Sequence, residues 1–286
     1  MAGERARRER LDQILVARGL VESRAKAQAM ILAGRVRSGE VRLDKPGVRL
    51  PLDLPLALDC ERSFVSRGGP KLEAGLRGFA LAVVGRDALD VGASTGGFTE
   101  ALLRAGARRV IALDVGRGQL DWTLRTDSRV VPVEGLNARY LRAADLPFLP
   151  SLATVDVSFI SLALVLPAVV SCLADGAGDV VALVKPQFEV GRGQVGRGGI
   201  VRDAERHREV LLRITARARG TGWQVAGILP SPLLGAEGNR EFLLHLRIGA
   251  APASPPADAA GLVEAALALP TKPLAPRPTR ALRSGA

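Results

Sequence analysis

The sequence predicts an α/β fold with an open, largely parallel sheet that carries helices on both faces, preceded by a small α+β domain. Between residue 71 and about residue 249, short apolar runs alternate with helical patterns, an order typical of parallel sheets. The first sixty residues instead show two helical segments followed by short strands. With 47% apolar residues among 286, the chain has enough hydrophobic surface for a sizeable core.

Residues 1–60 begin with a helix that has one buried face. Leu11, Ile14 and Leu15 recur at positions i, i+3 and i+4. Ser23 is the predicted N-cap of a second helix, and Gly34 is placed just after its end. The run VRSGEVRLDKPGVRL then predicts short strands separated by turns.

Six basic residues surround the second helix and these strands. They are Arg24, Lys26, Arg35, Arg37, Arg42 and Lys45. Charge alone is also compatible with a solvated surface. The order helix, helix, G-x-V and GEVRLDKPG, over about residues 9–58, resembles the RNA-binding domain of the ribosomal protein S-four type. The resemblance implies that the six residues contact RNA, and the net charge of +11 favours a polyanionic partner.

Residues 61–70, ERSFVSRGGP, are predicted to form a hinge, because Gly68, Gly69 and Pro70 interrupt regular structure. Residues 71–249 follow as the α/β domain. We place its strands at about 88–91, 109–113, 130–133, 152–156, 179–184, 224–229 and 241–248, and helices at about 97–105, 162–173 and 203–219. The glycine-rich segment 191–202 is predicted to be a mobile loop.

Residues 250–286 are rich in proline, and their last sixteen carry four basic residues and no acid. We expect one helix at 262–269 and disorder elsewhere.

Several classes of protein are excluded by composition. The N-terminus lacks the apolar stretch of a secretory signal, and no apolar run reaches the roughly 20 residues of a membrane span. Cys60 and Cys172 are isolated, so we expect no metal site and buried thiols. These features favour a cytoplasmic protein.

The run ALDVGASTGGFTEALL reads as strand, glycine turn and helix. Gly92, Gly96 and Gly97 allow close backbone approach at a helix start, although their spacing is not that of the dinucleotide fingerprint. Asp114 ends the next strand, where a carboxylate accepts hydrogen bonds from the ribose of a nucleoside cofactor. Without Asp114, the turn would equally suit any α/β domain.

Four charged residues lie beside this turn in the predicted sheet. Asp156, Lys185 and Glu241 stand at or beside the ends of apolar runs, and Lys71 precedes the first strand of the domain. Ends of strands are where open α/β sheets place ligands and chemistry. A set of two lysines and two carboxylates beside a cofactor turn indicates activation of a weakly acidic hydroxyl.

The runs LDVGASTGGFTEALL, DVGRGQL, DVSFISL and VKPQFEVG resemble those of the TlyA-type ribosomal RNA 2'-O-methyltransferases, also called hemolysin-like, whose catalytic domain is of the FtsJ type. The resemblance implies a Rossmann-like sheet, S-adenosylmethionine as cofactor, and a cytidine 2'-hydroxyl of large-subunit rRNA as substrate, with small-subunit rRNA a second substrate in some members. It implies a catalytic tetrad of Lys71, Asp156, Lys185 and Glu241, and a cofactor site of Gly92, Ser94, Gly96, Gly97, Phe98, Asp114 and, at the adenine, Asn137.

The tetrad suggests that Lys185 acts on the substrate hydroxyl and that Asp156 orients Lys185. Lys71 and Glu241 would position the ribose and the partner lysine. Whether Lys185 removes the proton or stabilises charge stays open, since carboxylates raise a lysine pKa and burial lowers it. Two other functions remain: an RNA-binding protein with an inactive methyltransferase domain, and a membrane-active hemolysin. His207 and His245 are interpreted as a helix-surface residue and a strand residue, and the oligomeric state is left open.

Overall fold

The computed structural model describes residues 8–32, 34–39, 41–58, 64–191, 195–235, 237–249 and 258–271. The chain forms two compact units, residues 1–63 and 64–286. Cys60 and most of the predicted tail lie outside the described residues.

The N-terminal unit packs two helices against short antiparallel strands. Its elements are β1 (Arg8–Arg10), α1 (Leu11–Ala17), α2 (Arg24–Leu32), β2 (Val36–Ser38), β3 (Val41–Arg42), β4 (Arg49–Pro51) and β5 (Ala57–Leu58). β1 pairs with β4, and β2 lies between β3 and β5. Leu11, Ile14 and Leu15 are fully buried, which confirms the predicted face of α1. The Ser23 hydroxyl accepts a hydrogen bond from the amide of Lys26, which confirms Ser23 as the cap of α2.

The C-terminal unit alternates strands and helices as the sequence predicts. Its strands are β6 (Asp87–Val91), β7 (Arg109–Asp114), β8 (Val130–Glu134), β9 (Leu152–Val155), β10 (Gly178–Val184), β11 (Gln224–Pro230) and β12 (Phe242–Ile248). Its helices are α3 (Gly68–Gly78), α4 (Gly97–Arg104), α5 (Trp122–Arg125), α6 (Leu162–Val170), α7 (Pro186–Glu189), α8 (Ala204–Gly220) and α9 (Ala259–Ala268).

These strands form one sheet in the order β11-β12-β10-β9-β6-β7-β8. Strands β8, β7, β6, β9 and β10 run parallel to one another, and β12 is antiparallel to both β10 and β11. After β6 the chain forms β7 on one side of β6, and it later forms β9 on the other side of β6. This reversal makes the carboxyl ends of β6 and β9 the expected ligand site.

Side chains of the central strands alternate between the two faces. Leu89 and Val91 of β6 contribute to the core beneath α6 and α8, whereas Ala88 contributes to the core beneath α3 and α4. The neighbouring carboxyl of Asp90 is completely buried and accepts hydrogen bonds from Thr99 Oγ1 at 2.7 Å and Thr154 Oγ1 at 3.1 Å. Burial raises the pKa of Asp90 to about 7.

The predicted hinge at Gly68, Gly69 and Pro70 differs from the structure, because these residues form the first turn of α3. Proline is compatible with a first helical turn, where its missing N–H would have no partner. The glycine serves close packing: a Cβ on Gly69 would lie 2.1 Å from Cγ of Phe64. Lys71 therefore projects from a helix, not from a flexible connection.

Two further expectations are corrected by the structure. His207 is buried rather than on a helix surface, and its Nε2 lies 3.0 Å from the carbonyl oxygen of Val201. Within the predicted loop 191–202, residues 192–194 lie outside the described part, but the stretch around Val201 is held by the buried Asn239. The Asn239 amide donates to the Gly199 carbonyl and accepts from the Val201 amide, both at 2.9 Å.

Helix α9 is three residues longer at its start than the predicted helix and packs against α8 and β11. Asp258 caps its N-terminus by accepting from two backbone amides. Arg240 donates to carbonyl oxygens of Ala266, Leu267 and Leu269 at its C-terminus. A cation there opposes the partial negative charge of the helix end, so α9 is joined to the residue next to Glu241.

Candidate active site

A cavity of about 610 Å³ opens at the carboxyl ends of β6, β7, β8 and β9. Four residues of the predicted cofactor site line it: Gly92 and Ser94 after β6, Asp114 at the end of β7, and Asn137 after β8. Apolar side chains of Leu113, Leu136 and Val165 complete its walls. The cavity therefore combines a few polar groups with apolar walls, which is the usual composition of a small-molecule or cofactor pocket.

The Asp114 carboxylate is oriented by the backbone of two loops. Its Oδ2 accepts from the Ser94 amide at 2.8 Å, and its Oδ1 accepts from the Gly116 amide at 2.7 Å. Each carboxylate oxygen retains a further lone pair for a ligand donor. The side chain is thus held in place at the cavity wall.

Gly92 is required by the geometry of the turn. Its φ is +84°, and a Cβ there would lie 2.4 Å from the backbone oxygen of Asp156. Only glycine allows the turn after β6 to approach the loop after β9 so closely. This contact joins the glycine turn after β6 to the loop that carries Asp156.

The other predicted cofactor residues lie deeper or to one side. Gly97 and Phe98 line a neighbouring cavity of about 360 Å³, with the Phe98 ring largely buried in the core. Gly96 faces Leu124, whose Cδ1 would lie 2.2 Å from an added Cβ. These three residues shape the turn and pack it against the core, rather than lining the larger cavity.

The four predicted tetrad residues form two ion pairs. Lys185 Nζ lies 2.7 Å from Asp156 Oδ1, and Lys71 Nζ lies 2.5 Å from Glu241 Oε2. Burial raises the pKa of Glu241, while the charge and hydrogen bond of Lys71 and the charge of Lys185 oppose the rise. The pairs come from α3 and from the ends of β9, β10 and β12, so distant segments of sequence meet at one edge of the sheet.

Three tetrad members line a second cavity, of about 410 Å³. Lys71, Lys185 and Glu241 share it with Ser158, Phe159, Gln187, Phe188 and Glu237. Ser158 and Phe159 line both this cavity and the larger one, and Asp156 lines the larger one. The two cavities therefore meet at the loop after β9, so that a group bound in one could react with a group bound in the other.

Phe159 is the most exposed large apolar side chain among the described residues, at 91%. Its φ is +63°, a strained backbone for a non-glycine residue. Its ring packs against Phe188, with ring centroids 4.9 Å apart. An exposed ring that packs on a half-buried one at the rim of a cavity is suited to stacking against a planar ligand.

Sequence reasoning missed several residues of the site. Ser158 accepts a hydrogen bond from Lys185 Nζ at 2.8 Å, as a second partner beside Asp156. Glu189 and Asn239 hold loops on either side of the tetrad cavity. The runs DVSFISL, VKPQFEVG and GNREF contain these residues, but nothing in their composition separates them from structural positions.

In the N-terminal unit the six predicted RNA contacts lie on or beside α2, β2 and β3. Arg37 and Arg42 stand directly opposite each other across β2 and β3. Arg24 pairs with the buried Asp12, and Lys26 pairs with Glu22. Arg35 lies just before β2, and Lys45 is exposed in the turn after β3. The six basic residues therefore cluster around these three elements, a distribution that favours a polyanionic partner.

Among the described residues, no group of histidine, cysteine and acidic side chains is arranged to hold a metal ion. In the same part of the chain, no helix is both long and apolar enough to cross a membrane. Cys172 is buried, as predicted.

Residues 64–248 match the family model of the FtsJ-like methyltransferases, and residues 9–53 match the S4 domain. The chain belongs to the FtsJ-like methyltransferase family. The 16S/23S rRNA (cytidine-2'-O)-methyltransferase TlyA of Mycobacterium tuberculosis is 50% identical, over 85% of this chain and 91% of that protein. Hemolysin A of Brachyspira hyodysenteriae is 39% identical, over 84% of this chain and 100% of that protein.

Among solved structures, a protein of Streptococcus thermophilus that carries a provisional hemolysin name is similar. It has a TM-score of 0.67 and 45% identity, over 91% of this chain and 96% of that one. The two family models and these similarities confirm the fold class and the family predicted from sequence.

Proposed function

We propose that the protein transfers a methyl group from S-adenosylmethionine to the 2'-hydroxyl of a cytidine in ribosomal RNA, acting in the cytoplasm. The observation that carries the proposal is the junction of the two cavities at Ser158 and Phe159, close in sequence to Asp156. One cavity has the composition of a small-molecule or cofactor pocket, and the other holds the lysine–carboxylate pairs. The relatives named above support the choice of rRNA and cytidine.

The larger cavity fits the cofactor. Asp114 would accept hydrogen bonds from the ribose hydroxyls, and Asn137 stands on the wall expected to face the adenine. When bound, S-adenosylmethionine supplies a strongly electrophilic methyl group. The turn at Gly92 has no room for a side chain. The protein backbone of this turn can therefore contact the bound cofactor close to Asp156.

The protein's task is then to prepare a poor nucleophile. Lys185 would hold the attacking 2'-oxygen, and Asp156 and Ser158 fix the position of its amine. Lys71 and Glu241, as a buried pair in the same cavity, would help to position the ribose. Such catalysis depends on orientation and on charge placed before the reaction begins.

Substrate RNA would bind through two features. The basic residues of the N-terminal unit would contact phosphates, which position a substrate without reading its sequence. The exposed Phe159 ring, which packs on Phe188, would stack on the target base once that base is unpaired and unstacked from its neighbours. Large-subunit rRNA is the first substrate to test, and small-subunit rRNA is the second.

The decisive experiment incubates the full chain with S-adenosylmethionine carrying a labelled methyl group and with unmodified ribosomal subunits or rRNA. We expect label on the 2'-oxygen of a cytidine, located by nuclease mapping and mass spectrometry. Lys185→Ala should lower transfer by about 10²–10⁴-fold with little change in cofactor affinity. Arg77→Ala, which breaks an exposed ion pair with Glu73 on the helix that carries Lys71, is the matched control and should leave the rate unchanged.

The role of Lys185 is tested by the pH dependence of the single-turnover rate. A neutral amine that removes the proton predicts a rate that rises with pH up to the amine's pKa. An ammonium that stabilises the developing oxyanion predicts no such rise. Cofactor binding without methyl transfer to any rRNA substrate would refute the proposed function and favour an RNA-binding protein with an inactive domain.

A further inference from the structure

Two loops from different strands carry the groups that would act on the substrate. The loop after β9 carries Asp156, Ser158 and Phe159, and the segment after β10 carries Lys185 and Phe188. Lys185 donates to Ser158 and pairs with Asp156, so the position of its amine depends on how the two loops lie relative to each other. Phe159 has a strained backbone, which persists only where its surroundings hold it.

The Glu189 side chain connects these two loops. Its Oε2 accepts from the Ser161 hydroxyl, and its Oε1 accepts from the Leu162 amide, both at 2.7 Å. Ser161 ends the first loop, and Leu162 begins α6. Glu189 ends α7, four residues after Lys185. The carboxylate thus joins the end of one catalytic loop to the end of the other.

The surroundings of Glu189 make the connection firm. The carboxylate lies at the start of α6, where the first backbone amides lack helical partners and attract negative charge. Burial raises the pKa of Glu189, and its hydrogen bonds to Leu162 and Ser161 oppose the rise. Arg213 of α8 donates to the Glu189 backbone oxygen, so the backbone of Glu189 is also held in place.

We propose that Glu189 is a positioning residue that holds the loop of Asp156, Ser158 and Phe159 against Lys185. The proposal rests on the function proposed above. Without Glu189, the first amide of α6 and the Ser161 hydroxyl lose their acceptor, and the loop is free to relax from its strained form. The amine of Lys185 then loses its fixed place relative to both partners. A displacement of about 1 Å at a reacting group can lower a rate by about 10²-fold.

The test uses the full chain with Glu189→Ala and Glu189→Gln. Glutamine has the same shape, can accept from the Leu162 amide with its oxygen and can donate to the Ser161 oxygen with its NH₂, so it should restore most of the rate. Asp145→Ala is the matched control. Asp145 also accepts one backbone amide and side-chain hydrogen bonds, all from Arg142, and lies outside the lining of both cavities.

Three measurements separate positioning from a general loss of structure. We expect Glu189→Ala to lower the single-turnover rate at saturating rRNA and cofactor by 10- to 100-fold, and to leave cofactor affinity within about threefold. We expect Asp145→Ala to lower the melting temperature while keeping the rate within twofold. Hydrogen exchange of backbone amides in residues 157–163 should accelerate in Glu189→Ala and not in Asp145→Ala.

The outcomes distinguish this proposal from the proposed function. A wild-type protein that transfers no methyl group to rRNA refutes the proposed function, and hydrogen exchange then still tests the connection between the loops. Unchanged exchange in Glu189→Ala, or a rate within twofold of wild type, overturns the proposal. Equal losses of rate in Glu189→Ala, Glu189→Gln and Asp145→Ala, in step with loss of folded protein, also overturn it.

Discussion

The buried pair of Lys71 and Glu241 makes a quantitative prediction about Lys71→Met. Glu241 is 3% exposed and receives a hydrogen bond from Lys71. Methionine fills a similar volume without a charge, so the carboxylate is left buried without its hydrogen-bonded partner and with only the charge of Lys185 to stabilise it. Removal of one partner from a buried ion pair costs about 3–5 kcal/mol of unfolding free energy.

The sign of the pH dependence follows from Glu241. Its folded-state pKa is already raised above the ordinary value of 4.5 by burial, and loss of Lys71 raises it further. A raised carboxyl pKa contributes stability that is present below the unfolded value and is lost as pH rises through the folded one. The variant should therefore lose more stability at pH 8 than at pH 5.5, by up to about 1.4 kcal/mol for each pH unit over which the two pKa values differ.

The assay is urea unfolding at both pH values, followed by tryptophan fluorescence. The chain has two tryptophans, Trp122 and Trp223, both in the C-terminal unit, so the signal reports that unit. Lys71→Met combined with Glu241→Leu removes both charges and should recover most of the stability at pH 8, while methyl transfer stays lost. Equal destabilisation of Lys71→Met at the two pH values would refute the reasoning, because Glu241 would then not sense the missing charge.

Four other variants test separate parts of the site. Asp114→Ala should weaken cofactor binding by about 1–3 kcal/mol in calorimetry and leave rRNA affinity unchanged. Unchanged cofactor affinity with weaker rRNA binding would show that Asp114 does not contact the cofactor. Phe159→Ala should lower kcat/KM for methylation of folded rRNA more than Phe159→Tyr does, because tyrosine keeps the stacking ring. Equal values for the two variants would show that no base stacks there. Asp90→Asn should flatten the fall in stability between pH 5 and 8, because the wild-type stability from a carboxyl with a pKa of about 7 is lost as pH rises through that value. Replacing Arg42 and Lys45 with alanine should weaken rRNA binding and lower its log–log salt slope by about 0.7–0.9 for each lost phosphate contact; an unchanged slope would argue against phosphate contact by these residues.

The strands were predictable because the sequence alternates apolar runs with turns, and parallel strands place their ends along one edge. Asp156, Lys185 and Glu241 each follow or flank such a run. The sequence therefore predicts that these three residues lie near one another. The sheet order then places β9 beside β10 and β10 beside β12. The partnership of Asp156 with Lys185 was anticipated, whereas Ser158 as its second partner was not, since a serine in a loop gives no periodic signal.

The errors came from residues whose local preference conflicts with their tertiary surroundings. Gly68, Gly69 and Pro70 favour a break in regular structure, yet here glycine permits close packing with Phe64 and proline suits the first turn of α3. His207 lies in a polar stretch of α8, and its burial depends on the backbone of Val201, which only the folded chain brings to it.

The contact between Arg240 and α9 has a practical consequence for cloning. The match to the FtsJ-like family model ends at residue 248, ten residues before Asp258, which caps the start of α9. A recombinant fragment trimmed to that boundary would keep Arg240 but discard every carbonyl oxygen to which it donates at the end of α9. The guanidinium would then face water beside Glu241, and a weakly active fragment would be misread as evidence about the catalytic residues. Expression vectors for this enzyme should therefore extend at least through residue 271.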